Sequence, residues 1–430
     1  MTSVWKWNLR QLGQEIWVPI ALYAALGLAT ALGALVLKPF LPSGLALRVG
    51  AEAVATLLQI LASSMLSVTT FSLSIMLAAF SSASSGATPR ATALLKEDDV
   101  SRSVLATFVG VFIFSLTGLI GLQTGVYEEA GRLILFLVTL VVLGAVVVQL
   151  VRWIGHLAHF GRLGDTIDRL EEASAEALAE RLANPYLGGH ALGAAEAEAA
   201  ANGAAIFPAS SGYLQMIDLA KVNRLAEGAG LSLALAALPG SFLHPAAPLA
   251  HVLDGARIEP AMAQEIAACF VLSKSRTYAQ DPRFGVLALA EVASRALSPA
   301  VNDPGTAIDI LGRQFRVLAQ WQDRAAPALS YPQIHVPGLR LGDLMTDAFA
   351  AIARDGAGLV EVQIRLQKML LALVETAPET FGPSAARLSD RALALAQAAL
   401  VLDDDKQVLR GLNAAVRAAC APPRPPAPST

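Results

Sequence analysis

The densest polar text in the chain is RTYAQDPRFGVLALAEVASRALSPAVNDPGTAIDIL, residues 276–311. Arg276, Arg283 and Arg295 could meet an anion near a helix start at Pro304, where unsatisfied backbone N–H groups also favour negative charge. Asp281, Glu291, Asp303 and Asp309 could instead gather a cation, since hard cations need several oxygens. A plainer alternative explains the same residues one by one: Asp281 and Asn302 cap turns, and the arginines pair with acids. Phe284 to Leu297 reads as a helix with Leu287, Ala290 and Ala293 on its apolar side and Glu291 and Arg295 as an i, i+4 pair. Ser298-Pro299 ends it, because the residue before proline avoids the α region. Asn302 or Asp303 then caps a new helix, with Pro304 at its first position. Arg276, Asp281, Arg283, Glu291, Arg295, Ser298, Asn302 and Asp303 thus form one candidate set, for ligand binding or for structure.

A second pattern lies in residues 63–82, SSMLSVTTFSLSIMLAAFSS, which are apolar enough to cross a membrane yet carry a hydroxyl at almost every turn. At about 100° per residue, Ser63, Ser67, Thr70, Ser74, Ser81 and Ser85 share one helix face, while Ser64, Thr69 and Ser72 lie elsewhere. Small hydroxyl residues let membrane helices approach and hydrogen-bond, for roughly 0.6 kcal/mol each. The same face could line a hydrated path completed by symmetry-related copies, with Arg90 as a selectivity charge at its cytoplasmic mouth. Glu52 stands at the start of this apolar stretch, and Gln59 and Gln149 are the only amides well inside the apolar part. Coupled transport needs a titrating or coordinating group at depth. Its absence favours a passive path, a sensor or a scaffold.

These patterns sit in a chain of 430 residues, 54% hydrophobic and only 16% charged, with the apolar excess mostly before residue 155. Four spans are expected, about Trp17–Leu37, Ala51–Phe80, Val104–Leu122 and Leu133–Val151, each near the roughly 20 residues that cross ~30 Å of hydrocarbon. Trp5, Trp7, Trp17, Tyr23 and Trp153 occupy interface positions. Lys6 and Arg10, then Arg90, Lys96 and Arg102, then Arg152, Arg162 and Arg169 outnumber Lys38, Arg48 and Arg132 in the alternate loops. That bias places both termini in the cytoplasm. The start MTSVWKWNLRQLGQEIW lacks a signal-peptide cleavage site, so the first span is expected to be retained.

A net charge of −3 without a basic stripe argues against nucleic acid as a partner. Cys269 and Cys420 form no CxxC and suggest a reducing compartment. His156 and His159 lack further ligands nearby and read as interfacial polar caps, so no metal is expected. No GxSxG, HExxH, P-loop or GxGxxG occurs in a supporting context, so neither an enzyme nor a cofactor is expected.

Five stretches follow: a four-helix transmembrane domain (1–160), a juxtamembrane helix with an Ala/Gly-rich linker read as a mobile insertion (161–209), a small β module (210–260), a mostly helical part (261–419) and a disordered Pro-rich tail (420–430). In the second stretch, Ile167, Leu170, Leu178 and Leu182 give an amphipathic helix. In the β module, GYLQMID, LSLALAAL and PLAHVL read as strands and LAKVNRLAEGAG as a helix. The intervening PGSFLHPAAPL resembles a turn of biotinyl and lipoyl carrier domains but has no lysine to modify. Later helices take caps at Asp343, Ser384 and Asp403, with Pro383 as a break.

Residues 67–116, with SGYLQMID and the 276–311 segment, resemble the bacterial membrane-protein family known as domain of unknown function 2254. The likeness runs from roughly Leu12 to Leu400, and its most specific words are Ala296-Leu297-Ser298-Pro299, Asn302-Asp303-Pro304 and Pro89-Arg90. The resemblance implies an inner-membrane protein with four spans and a cytoplasmic domain, and carries over no activity and no catalytic residue. The expected protein is therefore a polytopic α-helical membrane protein with a C-terminal cytoplasmic α+β domain, a small β module and a helical bundle. Its expected role is that of a homo-oligomeric channel or pore for an ion or small anion in the inner-membrane lipid, lined by Ser63, Ser67, Thr70, Ser74 and Ser81. The alternative is a non-conducting anchored sensor or scaffold that binds a soluble ligand or protein through residues 276–311.

Overall fold

The computed structural model describes residues 50–420 except 93, 95–97, 126, 128, 158–160, 254, 256 and 322–328, together with seven helical residues between 18 and 29. The expected first span, Trp17–Leu37, and the Pro-rich tail beyond residue 420 therefore lie outside the described residues but for those seven, as does His159. The chain divides into two compact units, one holding most of residues 5–166 and the other residues 86–91 with everything from Ile167 onward.

Among the described residues, the first unit contains three helices long and apolar enough to cross a membrane: α1 (Ala51–Gly86), α2 (Asp99–Gln123) and α3 (Glu129–Leu157). Each matches an expected span and overruns it at one end or both, because intrahelical hydrogen bonding continues past the apolar stretch. Val54, Leu58 and Met65 of α1, Phe108 and Phe114 of α2, and Leu135, Val142 and Trp153 of α3 form one buried cluster. Gly118 makes the middle helix thin at this contact: a Cβ there would lie 3.1 Å from Leu58 and 3.4 Å from Leu135. Asp98 caps α2, its Oδ2 accepting from Ser101 N at 2.7 Å and lying 2.9 Å from His156 Nε2. Large apolar side chains occupy many outward positions of α1 and α3, among them Phe71, Leu77, Val141 and Val148. Such faces are unfavourable in water and at home against lipid chains.

The second unit opens with α4 (Leu163–Ala183), β1 (His190–Ala191), α5 (Ala194–Asn202) and β2 (Ala205–Ile206). The segment expected to be a mobile insertion thus supplies a helix and two strands. Its Ala/Gly composition hides them, since the strands are held by pairing with distant partners rather than by local propensity. Next come β3 (Gly212–Ile217), α6 (Leu219–Gly228), β4 (Leu233–Leu235), β5 (Phe242–Leu243), β6 (Ala250–Val252), α7 (Pro260–Ala267) and β7 (Phe270–Ser273). The remainder is α8 (Pro282–Ala296), α9 (Pro304–Leu318), β8 (Ile334–Val336), α10 (Leu341–Asp355), α11 (Val360–Thr376), α12 (Pro378–Ala399) and α13 (Asp403–Ala419).

One sheet runs β1-β8-β4-β6-β2, with β1, β8 and β4 parallel and β6 antiparallel to both β4 and β2. The other runs β5-β3-β7 and is antiparallel, with a register shift between Leu214 and Met216. Leu214, Leu233, Leu235, Val252 and Phe270 share the core between them. The three expected strands appear as β3, β4 and β6, and the carrier-like turn carries β5, which pairs with β3.

In the helical part α8 packs on α9 and α10, α9 on α11, and α11, α12 and α13 on one another. Three expected caps are displaced. Arg340 and Leu402 occupy the N-cap positions, placing Asp343 and Asp403 inside the first turns, where a carboxylate still favours the positive end of the helix. Helix α12 runs through Pro383, so Ser384 is an interior, buried residue. Packing against α10, α11 and α13 outweighs the hydrogen bond that the proline removes.

Candidate functional site

The structure divides the polar segment of residues 276–303 into a cavity at one end and a helix connection at the other. Helix α8 separates them: Arg295 lies twelve residues beyond Arg283, about 18 Å further along at 1.5 Å per residue. A single ligand-sized site therefore cannot hold the whole set.

At the connection Ser298, Asn302 and Asp303 shape the backbone. The Ser298 hydroxyl donates to Arg295 O at 2.7 Å, holding the end of α8, where Arg295 is the basic residue of the last turn. Asn302 adopts φ 51°, a left-handed conformation that asparagine tolerates better than most residues. Asp303 caps α9, its Oδ1 accepting from Thr306 N at 3.1 Å and its Oδ2 from the Thr306 hydroxyl at 2.5 Å. Those bonds favour the ionised carboxyl and hold it below the usual aspartate range.

Midway along α8, Glu291 pairs with Arg90, and the Tyr278 hydroxyl donates to Arg90 O at 2.8 Å. Arg90 belongs to the short segment after α1 that forms part of the second unit. Its charge is thus offset by a carboxylate. Asp309 is held by Arg313 at 2.7 Å, and Arg313 also reaches Asp168 and Glu171.

The cavity lies where α8 and α10 begin. It has a volume of about 430 Å³, and its charged lining consists of Arg181, Arg276, Arg283, Arg340, Asp281 and Asp343. Asp281, 3% exposed, receives a hydrogen bond from Arg276 Nε at 2.7 Å. Burial pushes its carboxyl up, against the opposing pull of Arg276. The Arg276 guanidinium also lies 4.9 Å above the Phe284 ring, which fixes its plane. Arg283 grips Asp347 with two bonds, 2.7 and 3.2 Å, and stands 3.6 Å from Asp343.

Behind them Gly240, at φ 97°, passes so close to Asp281 that any Cβ would overlap its carboxylate. Only glycine satisfies both constraints. Arg181, which projects from α4, is 5% exposed and donates from Nη2 to Gln280 O at 3.1 Å. Burial pushes its guanidinium down to about 10, an effect that Asp281 and Glu180 oppose, so it remains a cation at neutral pH.

Arg276, Asp281 and Arg283 of the candidate set thus meet, while Glu291, Arg295, Ser298, Asn302 and Asp303 stand apart from them. Arg181, Gly240 and Arg340 belong to the cavity without having been singled out. Arg181 carries a readable signal nonetheless, because it falls on the same helical face as Leu170, Ser174 and Leu178, all buried. A charge on an apolar stripe calls for a partner.

The hydroxyl residues of α1 occupy a different setting. Ser63, Ser67, Thr70, Ser74 and Ser81 are all exposed. Ser67, Thr70 and Ser74 donate to the carbonyl four residues back, at 3.0, 2.9 and 2.9 Å, and Ser63 donates to Ile60 O at 3.1 Å. With the proton turned inward, each of these four oxygens presents its lone pairs outward. Ser72 and Ser115, by contrast, are buried, and their hydroxyls have no partner among the described residues. Among the described residues no group of three His, Cys, Asp or Glu side chains is placed to hold a metal.

The chain is 30% identical over 121 residues to the uncharacterized protein Mb1321c of Mycobacterium bovis, covering 27% of this chain and 23% of that protein. The same values hold for the uncharacterized protein Rv1290c of Mycobacterium tuberculosis. Another uncharacterized protein of Mycobacterium tuberculosis, MT1328, is 46% identical over 52 residues, 12% of this chain and 10% of its own. The matches thus span about a quarter or less of the length of these curated relatives. No solved structure matches the chain. The pattern of the family described as predicted membrane protein (DUF2254) matches residues 13–372, which with the apolar helices already described means that this chain belongs to that family.

Proposed function

We propose that this protein is a homo-oligomeric inner-membrane channel in which copies of α1 surround a hydrated path, and that the second unit is its cytoplasmic regulatory domain. The observation that supports this reading is the exposed hydroxyl face of α1. Ser63, Ser67, Thr70 and Ser74 stand uncovered beside apolar residues such as Phe71 and Leu77, and their oxygens point acceptor lone pairs outward. Lipid chains offer such oxygens no donor, whereas water does, and hydroxyl oxygens can replace part of an ion's hydration shell. The chain leaves α1 directly into the segment in which Arg90 is held by Glu291. In this reading the Arg90–Glu291 pair transmits movement of α8 to the path. The protein carries out no bond-making chemistry of its own.

The test is potassium and chloride flux through proteoliposomes containing the full chain. Ser67→Trp places an indole on the hydroxyl face and is expected to stop flux while the assembled mass stays that of the wild type. Unchanged flux with unchanged assembly would overturn the reading.

A second reading, a non-conducting sensor anchored by its helices, is favoured by one observation of its own, the arginine-lined cavity. Absence of flux from the wild-type protein, together with ligand binding in that cavity, would favour it.

A further inference from the structure

Charge in the cavity does not balance. Arg276 is neutralised by Asp281, and Arg283 by Asp347 with help from Asp343. Arg181 and Arg340 have no ion-pair partner within 4 Å among the described residues, and four arginines set against Asp281, Asp343 and Asp347 leave one positive charge in excess. Arg340 is exposed and solvated, but Arg181 is not. Among the described residues its five N–H donors meet one acceptor, Gln280 O. A buried charge is expensive unless a counter-charge and hydrogen bonds compensate it. A cavity of about 430 Å³ lies directly in front of it.

We infer that this cavity binds a small soluble phosphate ester or diphosphate, whose phosphoryl oxygens supply the anion that Arg181 and Arg340 lack. Several features fit that chemistry. The three terminal oxygens of a phosphoryl group accept more of the N–H donors of Arg181 and Arg340 than the two oxygens of a carboxylate can. The flat guanidinium fork is suited to phosphate oxygens, and two such forks can hold one group from two sides. Helices α8 and α10, fifteen residues each, both start at the cavity and add the positive ends of their dipoles. The volume lies within the range of roughly 300–1,000 Å³ usual for small-molecule sites and exceeds what phosphate alone requires. Leu238, Pro239, Pro337 and Leu339 give the cavity an apolar wall for the organic part of the ligand. The cavity is formed wholly within the second unit, so binding does not depend on the membrane helices. That the ligand regulates flux is an additional clause, and it rests on the channel reading.

The experiment is calorimetric titration and thermal melting of the full chain in detergent with inorganic pyrophosphate and with adenosine diphosphate. Short-chain phosphatidylglycerol serves as a separate arm. Saturable binding of a soluble phosphate is expected, weakening as chloride is added. Arg340→Ala, at an exposed position, is expected to lower affinity about tenfold or more, the usual effect of losing a charge-assisted hydrogen bond. Arg181→Met is expected to abolish binding while the unliganded variant melts no lower than wild type, because a buried cation that the protein compensates only in part has been removed. A purely structural Arg181 predicts the reverse, a large drop in melting temperature, with affinity insensitive to Arg340→Ala. Should Arg181→Met fail to fold, Arg340→Ala decides alone. Absence of saturable binding by both soluble phosphates, or binding of the lipid only, overturns the inference. Binding that leaves ion flux unchanged overturns only the regulatory clause, and loss of flux activity without loss of binding bears on the channel alone.

Discussion

Asp303 receives two hydrogen bonds from Thr306, one from the backbone and one from the hydroxyl, in the connection between α8 and α9. Replacing such a cap by alanine costs about 1 kcal/mol. Asp303→Ala should therefore lower the melting temperature by a few degrees. The loss should depend on pH. The carboxyl titrates lower in the fold than in the unfolded chain, so its stabilisation is complete above the unfolded value of about 4 and disappears as pH falls through the folded value. Melting curves of wild type and variant should converge in acid; a difference that persists at low pH would mean that the carboxylate is not its source. This connection is legible in the sequence because Asp303, Pro304 and the left-handed Asn302 act on backbone a few residues away. The cavity is legible only in part. Arg276, Asp281 and Arg283 share one segment, but the residues that make it cationic, Arg181 and Arg340, come from α4 and from the start of α10. Only tertiary packing brings them there.

Elements of the helical part are locked together by polar contacts in an otherwise apolar interior. Gln367 of α11 donates to Ser389 O of α12 at 3.0 Å, and the Ser389 hydroxyl donates back to Gln367 Oε1 at 2.6 Å. Asn413 of α13 then donates to the same hydroxyl oxygen at 2.8 Å. Gln367, Ser389 and Asn413 are all buried. Removing the hydroxyl strands an acceptor and a donor away from water, at a cost of about 1–3 kcal/mol. Ser389→Ala should therefore melt several degrees below wild type, and a further Gln367→Leu, which removes the stranded acceptor, should recover part of the loss. A strictly additive second loss would show that the three residues do not act as a network. Helix periodicity announces α11, α12 and α13 but not this lock, since Ser389 is an unremarkable hydroxyl until its helix is packed. Periodicity is equally blind to β1 and β2. A strand of two residues has no alternation to read, and His190–Ala191 and Ala205–Ile206 are strands only because β8 and β6 lie beside them.

At the scale of the whole molecule the exposed face of α1 needs a neighbour of some kind, and its chemistry differs from that of the other outward faces. Val141, Val147, Val148 and Val151 of α3 are uniformly apolar and suit lipid. On α1 the exposed apolar residues share the surface with a row of hydroxyl oxygens. If copies of α1 surround an axis, residue 67 of one copy stands near residue 67 of the next, whereas residue 148 looks outward. Single cysteines at these positions separate the two environments. Cys269 can remain in place, because it is buried and burial pushes its thiol up to about 11, leaving little thiolate to react. Cys420, only half-buried, is replaced by serine. With a short bis-maleimide in intact membranes, Ser67→Cys should give linked dimers, the largest product one reactive thiol per chain allows, and Val148→Cys should remain monomeric on a denaturing gel. Direct oxidation adds a finer distinction, since a disulfide needs Cα atoms within about 7 Å. Ready disulfide formation at residue 67 means that the helices touch there and the hydroxyls serve packing. Linkage by the spanning reagent alone means that the helices stand apart around a space, and equal linkage at residues 67 and 148 would remove the axis from consideration.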